Sequence, residues 1–347
     1  MQQPSSLLPP ALRWTGPLLA ACYGLGARLH RAWTTPRAAP LPTICIGNIT
    51  VGGTGKTPAA KYFARGLAQR GRKPAVLQRG YKGQAGDEAV EIQSALSALN
   101  IPVLIGADRL ASARRAKEQG RDVVLLDDGF QHWRLARDLD IVLLDATDPF
   151  GGNQLVPWGR LREYPTALSR AGVIIITRAD SVAAGELAVI EKNAARYAPH
   201  AVLARACHRP VRLRSLHDGQ ERRLEELRGA RISTVCGIGN PDAFHQTLQQ
   251  LGAELGTRLL YPDHHTYTAL DFRELHAATT VSMVVTTAKD AAKLSRLTGA
   301  DLTALFSLEI EFTFLRGEDA VWAKVDEALA SGSKRVANSQ QPIANSQ

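Results

Sequence analysis

The feature that most narrows what this chain can fold into is the run Gly47-Asn48-Ile49-Thr50-Val51-Gly52-Gly53-Thr54-Gly55-Lys56-Thr57-Pro58. It follows a strand-like stretch, Thr43 to Ile46, and leads into helix-like residues from Pro58 to about Arg70. Strand, glycine-rich loop and helix in that order build a phosphate cradle, because glycines let backbone N–H groups turn toward anionic oxygens at a helix N-terminus. Gly52, Gly53, Thr54 and Gly55 line the cradle, Lys56 reaches the β- and γ-phosphates, and the Thr57 hydroxyl is placed for magnesium. The strict motif asks for glycine where Thr50 stands, so a literal pattern search passes over it.

Such a cradle needs a metal-holding carboxylate at the end of a neighbouring strand. Val123 to Leu126 ends in Asp127-Asp128-Gly129-Phe130-Gln131-His132, which supplies two. One can face the metal while the other orients water or substrate, and which does which stays open. The alternative is an Asp-Asp-Gly turn that merely caps a strand. Further apolar runs lie at Ala75–Leu77, Pro102–Ile105, Ile141–Leu144, Val173–Ile176, Ile232–Val235 and Met283–Thr286. Runs that are apolar throughout, rather than alternating, belong to parallel strands buried on both faces. The expected class is α/β: a P-loop NTPase-like, doubly wound, mostly parallel sheet with a second, smaller α/β domain and an N-terminal amphipathic helix.

At 347 residues, 45% hydrophobic and 22% charged, the composition excludes disorder, collagen and coiled coil. The expected organisation is a basic amphipathic helix over 1–35, a P-loop core over 36–204, a connector or hairpin over 205–229, a second α/β domain over 230–330 and a disordered tail over 331–347. The tail repeats Ala-Asn-Ser-Gln. Cys22, Cys45, Cys207 and Cys236 have no paired spacing that suits zinc or a disulfide framework, which points to a reducing compartment.

The net charge of +9 is unevenly spread. Residues 1–86 hold twelve Lys and Arg and no acid, which leaves 30 basic against 33 acidic residues in the remainder. The partner of that N-terminal quarter should be anionic, and nucleic acid, anionic lipid and a phosphorylated substrate all fit. Only 14 uncharged residues separate Arg13 from Arg28, too few for a helix to span a bilayer. On a helical wheel Trp14, Leu18, Cys22, Leu25, Leu29 and Trp33 share one arc, with Arg13, Arg28 and Arg31 opposite. That pattern suits a helix lying in a headgroup layer, and equally a helix packing the same arc on its own core.

Other candidates carry less weight alone. Asp87, in the first acidic pair of the chain, is a general base or a helix N-cap. His264 and His265 form a base pair, a metal cluster or a polar turn, with no further ligand at zinc spacing. Arg160, Arg162 and Glu163 follow a glycine-rich turn and suit a phosphate clamp or a solvated surface.

Together these segments resemble the tetraacyldisaccharide 4′-kinases, enzymes of lipid A synthesis that phosphorylate a membrane-embedded acylated glucosamine disaccharide. The likeness spans about residues 10–320. It is carried by Gly47–Pro58, Arg79-Gly80-Tyr81, Gly86-Asp87-Glu88, Asp127–His132, Leu161-Arg162-Glu163, Asp263-His264-His265 and Thr286-Thr287-Ala288-Lys289-Asp290. The resemblance implies transfer of the ATP γ-phosphoryl group to the 4′-hydroxyl of the disaccharide 1-phosphate, giving lipid IVA, with ATP and Mg2+ required. It implies that Lys56 and Thr57 hold phosphate and metal, that Asp127 and Asp128 serve the metal and the reacting centre, and that Asp87 and His264 form a dyad deprotonating the acceptor. Arg109, His132, Arg162 and Glu163 would line the site. It also implies association through the N-terminal helix with the anionic cytoplasmic face of the bacterial inner membrane, as a peripheral or monotopic protein. Neither a nucleic acid nor an obligate protein partner is expected. Where the family usually has Glu before Lys-Asp, this chain has Ala288.

Two rival readings share the loop. A partitioning-type regulatory ATPase carries an extra lysine just before Gly-Gly, where this chain has Val51. A GTP-binding switch reads guanine with Thr-Lys-x-Asp, and Thr177-Arg178-Ala179-Asp180 resembles it with arginine for lysine. Both rivals hydrolyse nucleotide without regard to lipid. A membrane or nucleic-acid adaptor built on the basic N-terminus would leave Asp127 and Asp128 without work, and its basic residues lack interleaved aromatic platforms.

Overall fold

The computed structural model describes residues 7, 10–80, 86–238, 241–263, 265–278, 283–297 and 301–340. In chain order the first elements are α1 (Gly16–Ala32), β1 (Thr43–Asn48), α2 (Lys56–Gln69), β2 (Pro74–Gln78), α3 (Asp87–Leu96), β3 (Val103–Ile105), α4 (Arg109–Glu118), β4 (Val123–Asp127) and β5 (Leu139–Asp145). Next come β6 (Val173–Thr177), α5 (Ala184–Tyr197), β7 (Val202–Ser215), β8 (Glu221–Arg222), β9 (Arg231–Cys236) and α6 (Pro241–Gln250). The chain ends with β10 (Glu254–Leu260), α7 (Ala269–Ala278), β11 (Val284–Thr287), α8 (Ala288–Leu294), β12 (Leu305–Arg316) and α9 (Glu318–Gln340).

The chain divides into two compact units, the first made of 1–84, 96–207 and 312–347, the second of 85–95 and 208–311. In the first, parallel strands run in the order β3-β2-β4-β1-β5-β6-β7. The central strands β1, β4, β5 and β6 are buried along their whole length, as expected of strands covered on both faces. In the second, β10-β9-β11-β12 are parallel, and β8 pairs antiparallel with the end of β7. Each apolar run named above lies on a strand of this mostly parallel α/β architecture. The chain returns to the first unit after Phe312, a re-entry that a linear division at 230–330 does not contain.

In the first unit one element decides between two open readings and another differs from expectation. The N-terminal helix leaves its apolar arc in solvent: Trp14 is 79% exposed, Leu18 70% and Trp33 82%. The face that packs is instead the small-residue one, Gly16, Ala20 and Gly24, against Trp158 and Leu155, where a Cβ on Gly16 would lie 2.0 Å from the Trp158 ring. The reading in which the apolar arc packs on the protein's own core is therefore wrong.

The tail expected to be disordered from Ser331 is helical to Gln340. Its reason is a long-range anchor: Arg335 donates through Nε and Nη2 to Asp138, both at 3.0 Å, and through Nη1 to the Ala39 carbonyl. Residues 341–347 lie outside the described residues.

Candidate active site

Every side chain in this site belongs to the first unit. Strand β1 delivers the loop at its carboxyl end, and the β1–β4 register sets Asp127 beside Ile46. Gly47 is where the two strand ends touch, since a Cβ there would lie 2.6 Å from Phe130 Cβ. The loop then turns through Gly52 (φ 112°) and Gly55 (φ 86°), left-handed conformations that only glycine adopts without strain.

A net of hydrogen bonds holds the loop's shape. Asn48 Nδ2 donates to Thr54 Oγ1 at 2.9 Å, and the Thr54 carbonyl accepts from Thr177 Oγ1 at 3.1 Å. The backbone N–H groups of Val51 and Arg162 donate to the carbonyls of Arg160 and Ile49, each at 2.7 Å. Arg160 Nη2 donates to the Val51 carbonyl at 2.9 Å, and Arg178 Nη2 to the Gly53 carbonyl at 3.1 Å. With those carbonyls held by guanidinium groups and the Val51 and Thr54 N–H groups bonded to the Arg160 and Gly52 carbonyls, the loop has a fixed shape that suits an anion at the N-terminus of α2.

Beside the loop stand the two acids. Asp127 is 4% exposed, and its Oδ2 accepts from Gln78 Nε2 at 2.6 Å. Asp128, with a left-handed φ of 49°, receives Arg162 Nη1 at 2.8 and 2.9 Å on its two oxygens and lies 3.8 Å from Lys56 Nζ. Burial pushes the Asp128 carboxyl up, but the charges of Lys56, Arg162 and Arg109 outweigh it and hold the pKa below the usual carboxylate value. Arg109 is 3% exposed; its Nη1 donates to the Gly106 carbonyl, and its Nε has no hydrogen-bond partner among the described residues. Burial and the neighbouring arginines push His132 down to about 4, so it is neutral near pH 7.

Glu163 is held rather than free to react. It accepts two bonds from Arg170 at 2.9 and 3.0 Å and one from Gln131 Nε2 at 3.1 Å, and Gln131 also donates to the Asn48 carbonyl. A cavity of ≈ 610 Å³ opens beside His132, lined by Trp33, Leu110 and Leu135 together with His30, Arg37 and Arg134.

The expected residues Lys56, Asp127, Asp128, Arg162, His132, Glu163 and Arg109 are thus brought together around the loop, with Thr57 in the first turn of α2. Asp87 opens α3 in the second unit, but its side chain, like all of His264, lies outside the described residues. Gln78 was not singled out in the sequence, Asn48 and Gln131 were read only as parts of their motifs, Arg160 as a candidate phosphate clamp and Arg178 as part of a rival guanine-reading string. Gln78 alone of these had no signal, since its bond to Asp127 spans 49 residues. The oxygen donors Thr57, Asp127 and Asp128 form a hard ligand set that suits Mg2+, although no cluster of three or more His, Cys, Asp or Glu forms a metal site among the described residues.

The model of the family described as Tetraacyldisaccharide-1-P 4'-kinase matches residues 12–330. The chain belongs to this family. Curated members include a tetraacyldisaccharide 4'-kinase from Anaeromyxobacter sp. (strain Fw109-5), 39% identical over 94% of this chain and 93% of that protein. Another, from Syntrophus aciditrophicus, is 42% identical over 78% of this chain and 80% of that protein. Among solved structures, LpxK from Aquifex aeolicus in complex with ATP superposes with a TM-score of 0.73 at 23% identity, covering 92% of this chain and 99% of that one, so the family fold is shared.

Proposed function

We propose that this protein is an ATP-dependent kinase that phosphorylates the 4′-hydroxyl of a tetraacyldisaccharide 1-phosphate, yielding lipid IVA. One observation carries the reading: Lys56, Arg162 and Arg109 converge on Asp127 and Asp128 beside a glycine loop shaped for a triphosphate, within a chain of the 4′-kinase family. The loop amides and Lys56 bind the β- and γ-phosphates. Arg162 and Arg109 offset the negative charge that builds on the equatorial oxygens of the transferred group. When Mg2+ is bound, through Thr57, Asp127 and Asp128, it neutralises charge on the β- and γ-phosphate oxygens.

In the transfer, the sugar oxygen forms a bond to the γ-phosphorus, the bond from that phosphorus to the oxygen of ADP breaks, and the hydroxyl proton leaves to a base. The base is the Asp87–His264 pair, an assignment that rests on the family resemblance alone. Neutral His132 serves as a hydrogen-bond partner for the sugar, not as a cation, in keeping with its depressed pKa. Positioning and charge stabilisation do most of the work in this chemistry, with a base adding about 10²–10⁴-fold.

The same reading puts the enzyme at the cytoplasmic face of the inner membrane, where its substrate lies. The exposed arc of α1 supports it, and no helix among the described residues is long and apolar enough to cross a membrane. The test is direct. Purified protein, ATP, magnesium and an acylated disaccharide monophosphate should yield a lipid heavier by one phosphate and an equal amount of ADP, and Lys56→Ala should yield neither. Full activity in that variant, or ADP formed without acceptor, rejects the assignment.

A further inference from the structure

We propose that the turn following β6 seats the base of the donor nucleotide, with the Arg178 side chain as the platform under the ring and the Asp180 carboxylate as acceptor for the base's exocyclic amine. This rests on the kinase reading and adds to it the residues that seat the donor's base. The string Thr177-Arg178-Ala179-Asp180 was the mark of a rival GTP switch in the sequence, and the kinase chemistry above gives it no task.

Its place in the sheet suits a base. Strand β6 is second from β1 on the β5 side, so its carboxyl end lies roughly 10 Å from the phosphate loop at ordinary strand spacing. In open α/β sheets, ligands lie across the carboxyl ends of the strands. The turn is also bonded to the loop itself: Thr177 Oγ1 donates to the Thr54 carbonyl and Arg178 Nη2 to the Gly53 carbonyl, both at 3.1 Å. Arg178 Nη1 meets the Asp145 carboxylate at the end of the intervening strand β5. A guanidinium fixed on both sides has one orientation, yet the Arg178 side chain remains 40% exposed. Its stem and guanidinium plane are therefore available to a flat aromatic ring.

Asp180 completes the pattern. The Ser181 N–H donates to the Arg178 carbonyl at 2.9 Å and closes the turn, while Ala179 is 5% exposed and its N–H donates to the Ala206 carbonyl at 3.1 Å. With Ala179 turned inward, Arg178 and Asp180 flank it on the outer side. The Asp180 carboxylate is exposed and has no hydrogen-bond or ion-pair partner among the described residues. An ionised carboxylate only accepts, so it favours a base edge that presents an amine, as adenine and guanine both do.

The experiment is calorimetric titration of the full-length protein, with magnesium, by three probes: ATP, purine riboside triphosphate, which lacks the amine, and inorganic tripolyphosphate, which lacks the nucleoside. Wild type should bind ATP about 10-fold or more tightly than the amine-free analogue, the size expected of one hydrogen bond to a charged group. Asp180→Ala and Asp180→Asn should each remove most of that difference and leave tripolyphosphate affinity within twofold. Arg178→Ala should weaken all three probes, because the loop contact goes with the platform. Equal binding of ATP and its analogue by wild type, an unchanged ratio in Asp180→Ala, or equal losses for ATP and tripolyphosphate in that variant would overturn the proposal. Amine-selective binding by a protein that transfers no phosphate to lipid would instead refute the kinase reading and leave the base site standing.

Discussion

Arg162 Nη1 bonds both carboxylate oxygens of Asp128, at 2.8 and 2.9 Å, while Lys56 stands 3.8 Å from the same group. Asp128 is therefore the point where the lysine of the glycine-rich loop and the arginine after Leu161 meet. Its pKa is depressed because these cations outweigh burial. In Arg162→Ala one of them is gone and the pKa must rise. In the proposed mechanism the ionised form is the working one, so the acid limb of the kcat profile should move to higher pH, with kcat at its plateau lower by about 10²-fold through lost charge stabilisation. A profile whose acid limb stays in place would show that Asp128 does not set it.

Gly47 and Gly53 separate packing from phosphate binding. A Cβ on Gly47 would lie 2.6 Å from Phe130 Cβ and 2.9 Å from Phe130 N, whereas one on Gly53 meets nothing within 4 Å. Gly47→Ala should thus lose about 1–3 kcal/mol of stability, the usual cost of overpacking, and displace the Asp127–Asp128 turn. Gly53→Ala should leave the denaturation midpoint unchanged while weakening nucleotide binding. Denaturant titration and ATP calorimetry on both variants check this, and similar midpoints for the two would contradict it.

How far the sequence was readable follows from the range of each interaction. The strands β4 (VVLLD) and β6 (VIIIT) were legible because strands buried on both faces need no alternation. Strands β7 and β12 were not: Arg205, Arg212 and Arg214 punctuate one and Glu309 and Glu311 the other, in ladders that are only partly buried. At the site, Lys56, Asp127 and Asp128 sit in contiguous motifs. The clamps on the Val51 and Gly53 carbonyls span 109 and 125 residues, and a backbone acceptor leaves no mark on composition. The inward face of α1 was missed for a related reason, since Gly16 and Gly24 contribute nothing to an apolar arc yet permit the closest approach.

His132 offers a pH test of the site's positive field. Burial first, then Arg109, Arg137, Arg134 and Arg79, push it to about 4, below its ordinary 6.5. The proton is bound more tightly in the unfolded chain, so the associated stability is complete above about pH 6.5 and is lost as pH falls toward 4. The loss is about 3 kcal/mol at most. Unfolding free energy measured between pH 7 and 4 should fall less steeply in His132→Gln than in wild type, and the His132 imidazole resonances should titrate near pH 4. Titration near 6.5 would mean that neither burial nor the arginines depress it.

Helix α1 presents large side chains outward and small ones inward, the reverse of a helix that stabilises its own core. Trp14, Leu18 and Trp33 are each at least 70% exposed, and Leu25 is 59% exposed. An exposed apolar arc on a helix that also carries Arg28 and Arg31 gains free energy by entering an anionic headgroup layer, where each large side chain removed from water is worth about 1.5–3 kcal/mol. Trp14→Ser, Leu18→Ser and Trp33→Ser combined should lower partitioning onto anionic vesicles by more than about 10-fold. Because these side chains touch little of the protein, thermal stability and ATP affinity should stay at wild-type values. In contrast, Gly16→Leu drives a side chain into Trp158 and should destabilise the fold without vesicles present. Vesicle sedimentation decides between the roles: unchanged partitioning in the triple variant would mean that the arc does not meet the membrane.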